Sequence, residues 1–259
     1  MISIITATFN NYEELQDTIS ALPDERYFEH VIVNGGSCPK TLEFLLDYSK
    51  VENTLIINEP DKGIYDAFNK GISRSSGMAV VFHNSGDKLI DKNYWKEAED
   101  FLNNHSEFAF VYSSIQFLDP EVGLIPLEPR GKRLGRGMPY LHPTMVVRRE
   151  VFKDVGCFNL DYKIAGDYDF IVRMEKKNLE GHFIKGIIVE MEGSGISATN
   201  EEQAIKECKK SLIEHELYFK NFIDFQTRNQ FFKARKFLAS NPFSNKLLKG
   251  LKKLKYNCK

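Results

Sequence analysis

Apolar and polar residues follow two alternating periods along the first 110 residues. Short runs rich in β-branched residues, each ending in a polar or glycine-rich segment, predict five strands. Their sequences are ISIITATF, HVIVNGG, NTLIINE, MAVVFHN and FAFVYSS. Apolar residues at helical spacing separate them and predict four helices. Strand and helix therefore alternate, which is typical of an α/β protein.

Local signals place the beginnings of these helices. Asn11 followed by Glu14 matches a capping box ahead of the first helix. The second begins at Ser37 and Pro39, because proline in a first turn loses no needed hydrogen bond, and it places Leu46 on the apolar face. The apolar positions of the third and fourth helices are Ala67, Phe68, Gly71 and Ile72, and Trp95, Ala98, Phe101 and Leu102.

The repeated order predicts a doubly wound, mostly parallel sheet. Ligands of such sheets bind outside the carboxyl ends of the strands. The polar residues that follow the first four strands are Thr6, Thr8 and Asn10; Asn34, Gly35, Gly36 and Ser37; Glu59, Asp61 and Lys62; and Asn84, Ser85 and Asp87. They include neither G-x-G-x-x-G after the first strand nor a P-loop, which disfavours ordinary dinucleotide and P-loop chemistry.

Length and composition limit the class of protein and the kinds of site. A chain of 259 residues can bury a large α/β core and carry an appendage. Its four cysteines form no C-x-x-C pair, which argues against a zinc site and a disulfide framework. No window approaches the roughly 20 apolar residues of a membrane span, and the N-terminus lacks a basic lead. We expect a cytoplasmic protein.

The net charge of −1 conceals an asymmetry: all 36 acidic residues precede residue 225, and ten bases follow it. Residues 200–240 have helical spacing and predict an appendage packed on the sheet, with Ile205, Cys208, Leu212, Phe219, Phe222 and Phe225 as its apolar positions. The tail FSNKLLKGLKKLKYNCK predicts attraction to an anionic membrane, at about 1 kcal/mol per lysine. A solvated terminus is the alternative. Nucleic-acid binding fits poorly because the body is acidic.

Seven motifs in order resemble glycosyl transferase family two, whose members have the GT-A fold. They are ISIITATFN, VIVNGGS, EPDKGIYDAFNKGI, NSGD, HPTMVVRREVF, AGDYDFIVRM and GSGIS, and they extend from residue 1 to about 200. The resemblance implies an inverting transfer of a sugar from a nucleotide-sugar to an acceptor hydroxyl, with Mg²⁺ or Mn²⁺ as cofactor.

Under this resemblance the first two strand ends hold the nucleotide. Thr6, Ala7, Thr8 and Phe9 would present main-chain and hydroxyl groups to the base, although a plain strand end would have the same sequence. The family has an acid where this chain has Asn34 and Gly35. We therefore expect more neutral contacts to the base at that place. Glycine there lets the backbone approach a ligand closely.

Two further segments are candidates for the donor. Lys62, near a helix N-terminus, suits a phosphate, and Asp66 suits a sugar or ribose hydroxyl. Asp66, Asn69 and Lys70 are spaced to share a helix face, and a solvated first turn is the alternative. His142 matches a family position near the donor diphosphate or acceptor. A lone histidine beside a strand is equally compatible with a structural role.

Asp87 is the candidate metal ligand. The family's D-x-D-D loop aligns on its final acid with Asp87, which leaves Asn84 and Gly86 where the earlier acids would lie and Ser85 between them. One carboxylate can suffice, because Mg²⁺ and Mn²⁺ take further oxygen ligands from phosphates and water. Such an ion would stabilise the charge on a departing diphosphate.

Inversion also requires a base on the acceptor side. AGDYDFIVRM matches the family's catalytic pair and assigns this role to Asp167, with Asp169 as a helix-start residue. The glycine-rich residues 192–197 resemble a segment that closes over the donor. The four bases of residues 130–137 could contact phosphate or remain solvated.

The resulting prediction is a transferase that uses a UDP-sugar and a glycan or lipid-linked glycan acceptor in polysaccharide or O-antigen synthesis, at the inner membrane face. The expected GT-A domain is 1–199, with a nucleotide-sugar half at about 1–115 and an acceptor half at 116–199, followed by a helical extension at 200–259. A nucleotidyltransferase and a non-catalytic sugar-nucleotide-binding module are the alternatives; the first lacks a basic glycine-rich loop after strand one.

Overall fold

The computed structural model describes residues 1–119, 122–192 and 200–240, without the side chain of Glu192. Most of the segment 192–197 that is expected to close over the donor lies outside these residues. So does the basic tail, from residue 241 onward.

The described strands form one sheet. In chain order they are β1 Ser3–Thr8, β2 Glu29–Asn34, β3 Thr54–Asn58, β4 Ala79–Phe82, β5 Lys88–Leu89, β6 Phe110–Asp119, β7 Gly123–Leu127, β8 Val146–Arg148 and β9 Gly181–Glu192. Their order across the sheet is β3-β2-β1-β4-β8-β6-β9-β5, and β7 pairs with β6. Strands β1 to β4 pair in parallel, whereas β8 runs antiparallel to both β4 and β6.

Helices connect these strands. They are α1 Tyr12–Ser20, α2 Pro39–Tyr48, α3 Ile64–Arg74, α4 Tyr94–Asn104, α5 Arg149–Asp154, α6 Gly166–Lys176, α7 Glu201–Glu214 and α8 Phe222–Ser240. Short 3-10 turns occur at Leu134–Arg136 and His142–Thr144.

Successive residues of β1 face opposite sides of the sheet, as the strand period of two requires. Ile4 packs in a cluster with Trp95 of α4, whereas Ile5 packs with Phe68 of α3. Helices therefore cover both faces, and the predicted doubly wound α/β architecture is confirmed.

Two details of the predicted helices are wrong. Helix α1 does begin after Asn11, but the side-chain carbonyl of Asn11 accepts hydrogen bonds from the Thr8 hydroxyl and the Phe9 amide and so does not cap the helix. In α2 the buried residues include Leu45, whereas Leu46 is 70% exposed.

The C-terminal helices partly follow the sequence pattern. Ile205, Cys208 and Leu212 are buried on α7, and Phe225 is buried on α8. The expectation for the aromatic residues before Phe225 is wrong: Phe219 is 89% exposed and Phe222 is 43% exposed. Helix α7 packs along helix α6.

Asp169 fixes that contact between helices. Its carboxylate is almost fully buried and accepts hydrogen bonds from Arg173 Nε at 3.0 Å and from Ser211 Oγ at 2.9 Å, and it lies 3.0 Å from His215 Nε2. Asp169 does lie in the first turn of α6, as predicted. A simple helix-start role is wrong, because its partners lie on the next turn and on α7.

The expected division of the catalytic domain into halves crosses a strand. Residues 115 and 116 both belong to β6, which pairs with β8 on one side and β9 on the other. The two expected halves therefore share one sheet.

Replacement of Asp169 by alanine is expected to destabilise the fold strongly. It would leave the partly buried Arg173 without its carboxylate, and breaking a buried pair costs about 3–5 kcal/mol. The exposed pair of Asp47 and Lys50 provides the control, where Asp47→Ala should change the free energy of unfolding by less than about 1 kcal/mol. Denaturant unfolding measures both; equal losses would contradict the buried-pair interpretation.

Candidate active site

Backbone hydrogen bonds join the carboxyl ends of the parallel strands. The Gly35 amide donates to the Thr8 carbonyl at 3.1 Å, and the Ser85 amide donates to the Ala7 carbonyl at 3.3 Å. The Glu59 amide donates to the Asn34 carbonyl at 3.2 Å. The predicted strand-end residues therefore lie along one edge of the sheet.

Thr6 and Thr8 use their hydroxyls within the protein. Thr6 is fully buried; its hydroxyl donates to the His83 carbonyl at 2.6 Å and lies 3.0 Å from His30 Nε2. Thr8 donates to the side chain of Asn11. Phe9, by contrast, is 64% exposed at the end of the strand. The Phe9 ring is therefore the exposed group of this segment, because the Ala7 and Thr8 carbonyls and the Phe9 amide have hydrogen-bond partners within the protein.

Asn34 is also buried, and its side chain orders the β2 loop. Its amide nitrogen donates to Asn58 Oδ1 at 2.8 Å, and its oxygen accepts from the Gly36 amide at 3.2 Å. A Cβ on Gly35 would lie only 1.8 Å from Asp61 Oδ2. The absence of a side chain at residue 35 thus admits the Asp61 carboxylate, so the loop after β3 supplies an acid where β2 itself has none.

Asn10 connects the first two strand ends. Its backbone has a φ of +55°, and its side-chain oxygen accepts hydrogen bonds from the Ser37 and Cys38 amides, both at 2.9 Å. A Cβ on Gly36 would lie 2.4 Å from that oxygen. Glycine at 36 is therefore required for this connection. Asparagine is among the few residues that adopt a left-handed backbone readily.

The segment around Lys62 is organised by Asp66. Asp66 Oδ2 accepts the Lys62 amide at 2.9 Å and lies 3.4 Å from Lys70 Nζ. The hydrogen bond from the Lys62 amide is the main cause of the lowered pKa of Asp66, so this carboxylate is ionised at neutral pH. The Lys62 side chain is exposed. Asn69 instead pairs with both backbone polar groups of Phe158.

Asp87 lies in a turn directly after β4. Only 4% of its surface is exposed, and Asp87 Oδ2 accepts the Asn84 amide at 2.8 Å. Burial raises the pKa of Asp87 to about 7. Asn84 Oδ1 and Ser85 Oγ are buried without a hydrogen-bond partner among the described residues.

This turn fits a hard divalent cation. Across residues 1–119, 122–192 and 200–240, no three histidine, cysteine or acidic side chains gather as a metal site. One carboxylate with two unsatisfied neutral oxygens is nevertheless a suitable oxygen set for Mg²⁺ or Mn²⁺ when a diphosphate supplies further ligands. The fit rests on the unpartnered oxygens of Asn84 and Ser85.

Glu14 is a second acid near the same turn, which the sequence pattern did not assign to the site. Gly86 has a φ of +99°, and a Cβ there would lie 3.7 Å from Glu14 Oε2. Asn11 Nδ2 donates to Glu14 at 2.7 Å. The Asn11 to Glu14 spacing was the available signal, but it predicted a helix cap.

His142 lies in an aromatic cluster behind the end of β4. Its ring stacks on Phe82 with centroids 5.1 Å apart, and Phe68 of α3 lies 5.7 Å away. Burial lowers the pKa of His142 to about 4, so the ring is neutral. Its Nε2 is buried without a partner among the described residues. This environment accounts for a structural role, and the expected donor contact stays a prediction.

Asp167 lies in the first turn of α6, next to a residue of α3. Asp167 Oδ1 accepts the Tyr168 amide at 2.8 Å and lies 3.3 Å from the Tyr65 hydroxyl. Burial raises the pKa of Asp167 to about 6. A Cβ on Gly166 would lie 2.7 Å from the Tyr65 ring, so glycine allows this approach. Tyr65 thereby connects Asp167 to the segment that contains Lys62 and Asp66.

The basic residues 130–137 are largely occupied by ion pairs. Arg133 and Arg136 both bind Asp224 of α8, at 3.0 Å and 3.1 Å. Lys132 binds Glu180 at 2.7 Å. This segment therefore docks helix α8, a role that neither expectation from the sequence included.

Sequence comparison identifies the class of protein to which this fold and site belong. Residues 3–156 match the model of glycosyl transferase family 2, and the chain belongs to that family. It is 28% identical over 213 residues to an uncharacterized glycosyltransferase of Mycobacterium tuberculosis, covering 79% of each chain. It is 27% identical over 180 residues to a PGL/p-HBAD biosynthesis glycosyltransferase of Mycobacterium bovis, covering 67% of this chain and 69% of the relative.

Solved structures show the same fold. Residues 1–349 of TarS from S. aureus superpose with a TM-score of 0.68 at 17% identity, covering 98% of this chain and 78% of that one. The mannosyltransferase PcManGT from Pyrobaculum calidifontis, in complex with GDP-Man and Mn²⁺, superposes with a TM-score of 0.61 at 12% identity, covering 98% and 86%. The expected GT-A glycosyltransferase fold is confirmed.

Proposed function

We propose that this glycosyltransferase moves a sugar with inversion from a nucleotide-sugar, expected to be a UDP-sugar, to an acceptor hydroxyl. The acceptor would be a glycan or lipid-linked glycan in cell-surface polysaccharide or O-antigen synthesis. The observation that carries the proposal is Asp167, a carboxylate of raised pKa tied through Tyr65 to the polar strand-end edge. A neighbouring structure, TarS with UDP-GlcNAc, supports the donor class.

The donor would lie along the edge formed by β1 to β4. The Phe9 ring and the Asp61 carboxylate are the groups available to the nucleoside, whereas the Ala7 carbonyl and the Gly35 amide already hydrogen-bond between neighbouring strand ends. The exposed Lys62 would reach the diphosphate, and Asp66 would hold the Lys62 backbone in place. Thr6, Thr8 and Asn34 would act indirectly, because their side chains shape the strand ends from inside.

Asp87, with Asn84 and Ser85, would hold the divalent cation. When bound, such an ion neutralises charge that develops on the departing diphosphate. Asp87 is poorly solvated and has no cationic side chain as a partner in the described chain. Its carboxylate would therefore favour the ionised form once a cation is present.

Asp167 would act as the general base. In an inverting displacement it would accept the proton of the acceptor hydroxyl while that oxygen attacks the anomeric carbon and the diphosphate leaves from the opposite face. The Tyr168 amide and the Tyr65 hydroxyl would orient the carboxylate. A pKa of about 6 leaves Asp167 ionised at pH 7 while making it a stronger base than an exposed aspartate.

Replacement of Asp167 by asparagine is expected to reduce kcat by about 10²- to 10⁴-fold with little change in donor affinity, because a general base contributes that range. In the wild type, activity should fall as the pH drops through about 6, where Asp167 becomes protonated. Turnover of a radiolabelled sugar donor measures both. Asp161→Asn, at an exposed residue of the preceding segment, is the matched control. Full activity of Asp167→Asn would refute the base assignment.

Replacement of Asp87 by alanine is expected to abolish the dependence of donor binding on Mn²⁺ or Mg²⁺. A donor at a hundred times its Kd stabilises a protein by about 2.7 kcal/mol, which thermal unfolding detects. UDP-, GDP- and dTDP-sugars with and without Mn²⁺ test wild type, Asp87→Ala and the exposed control Asp100→Ala. Equal metal dependence in all three would remove Asp87 as a ligand.

We also propose that the C-terminal region attaches to an anionic membrane at the cytoplasmic face. Within the part of the chain that the structure describes, no helix is both long and apolar enough to cross a bilayer. On α8, Ile223, Phe231 and Phe237 are 72–79% exposed, and their helical spacing places them on one side. Lys233 and Arg235 flank them. An exposed apolar face with basic flanks suits an interfacial helix.

Vesicle co-sedimentation tests this attachment. The wild type should bind vesicles that contain anionic lipid, less so at high salt, and Phe231→Ser with Phe237→Ser should weaken binding because each exposed ring contributes buried apolar area. Leu46→Ser is the control, because Leu46 is a similarly exposed apolar residue on α2, outside the C-terminal region. Wild type that sediments equally with neutral and anionic vesicles would contradict attachment to an anionic membrane. Equal sedimentation of the wild type and all variants would contradict the role of α8.

The non-catalytic module remains the second candidate because the Asp87 turn has fewer acids than the family loop. A module would bind donor without transfer or hydrolysis. The raised pKa of Asp167 favours the enzyme, since groups perturbed by burial concentrate at catalytic sites.

A further inference from the structure

We infer that Glu207, on helix α7, is a positioning residue for Asp167. The inference rests on the proposed function, because it concerns the residue proposed as base. It makes α7, expected from the sequence to be an appendage, a part of the catalytic unit.

Glu207 binds the segment immediately before α6. It is 5% exposed, and its carboxylate accepts the backbone amides of Ile164 and Ala165, both at 2.9 Å, and that of Lys163 at 3.2 Å. Gln203 Nε2, one turn earlier on α7, donates to the other carboxylate oxygen at 3.0 Å. Three consecutive amides with no helical partner are thus satisfied by one side chain.

The same segment is held from the opposite side by α3. The Tyr65 hydroxyl donates to the Ile164 carbonyl at 2.8 Å and lies 3.3 Å from Asp167 Oδ1. Glu207 therefore fixes the amide side of residue 164, and Tyr65 fixes its carbonyl side. Asp167 follows three residues later. Glu207 and Tyr65 therefore set the direction in which the backbone enters the first turn of α6.

Helix α7 is itself anchored to α6 beyond this contact. Ser211 and His215, one and two turns after Glu207, both contact the buried Asp169. Two acidic residues, Glu207 of α7 and Asp169 of α6, thus hold these two helices together. A shift of α7 would be transmitted to the segment that carries Asp167.

Glu207 also adds a charge near the base. Its hydrogen bonds outweigh the effect of burial and hold the pKa of Glu207 below its ordinary value, so it is anionic near neutral pH. That negative charge adds to the larger effect of burial in raising the pKa of Asp167. Within the described parts of the chain, Tyr65 of α3 and Cys208 of α7 also face Asp167, and both have a raised pKa and are neutral.

Two conservative variants separate charge from position. Glu207→Gln keeps the length of the side chain and removes the charge, so the acidic limb of the pH profile of kcat should move to lower pH. Glu207→Asp keeps the charge but shortens the side chain, so the limb should stay while kcat falls. A misplacement of about 1 Å costs on the order of 100-fold in rate. Donor KM should change little in either variant.

The control is Glu214→Gln, on the same helix, where the carboxylate accepts the Tyr162 hydroxyl and lies closer to solvent. Glu214→Gln removes an equal charge about two turns from Glu207 on α7. It should leave both kcat and the pH profile as in wild type. Asp167→Asn is measured in parallel with the same donor and acceptor.

The outcomes separate the two levels of the proposal. Full activity of Asp167→Asn refutes the proposed base itself. An inactive Asp167→Asn together with a wild-type pH profile in Glu207→Gln and wild-type kcat in Glu207→Asp overturns the positioning role alone. Loss of the cooperative unfolding transition in both Glu207 variants would also overturn it, because Glu207 would then be needed for folding. Equal shifts in Glu207→Gln and Glu214→Gln would count against it as well.

Discussion

The parallel pairing of β1 with β2 and with β4 is the constraint on which the site depends. Parallel neighbours end at the same edge of a sheet, so loops that are separated by about 25 residues in sequence meet there. Each loop then contributes a residue to that edge: Phe9 after β1, Gly35 after β2, Asp61 after β3 and Asp87 after β4. Reversal of any of these strands would carry its loop to the opposite edge.

Burial raises the pKa of both Asp87 and Asp167, and the groups around the two carboxylates differ. Asp87 lies in a buried turn with Asn84 and Ser85 oxygens that have no hydrogen-bond partner among the described residues, an arrangement that suits a cation. Asp167 lies beside the Tyr168 backbone amide and the Tyr65 hydroxyl, which suits transfer of a proton. The different tasks that we propose for these two aspartates follow from their different surroundings, as with paired acids in characterised enzymes.

The sequence predicted what depends on local periodicity and failed where distant segments meet. Alternating strands and helices specified the parallel half of the sheet and its polar edge, and the family motifs directed attention to Asp87 and Asp167. The approach of Asp61 to Gly35 depends on a turn geometry that no spacing encodes. The contacts of Asp169 with Ser211 and of Glu207 with residues 163–165 span more than 40 residues. The local sequence could therefore show only that Asp169 lies at the start of a helix and that Glu207 lies on a charged helix.

The central claim is that the carboxyl edge of β1 to β4 binds the nucleotide-sugar donor. Backbone hydrogen exchange, measured with and without a UDP-sugar and Mn²⁺, tests it most directly because exchange reports local opening. The account predicts slower exchange at residues 9–11, 35–38, 61–63 and 84–88, and unchanged exchange along α8. Binding that leaves these four loops unchanged while it protects another surface would contradict it.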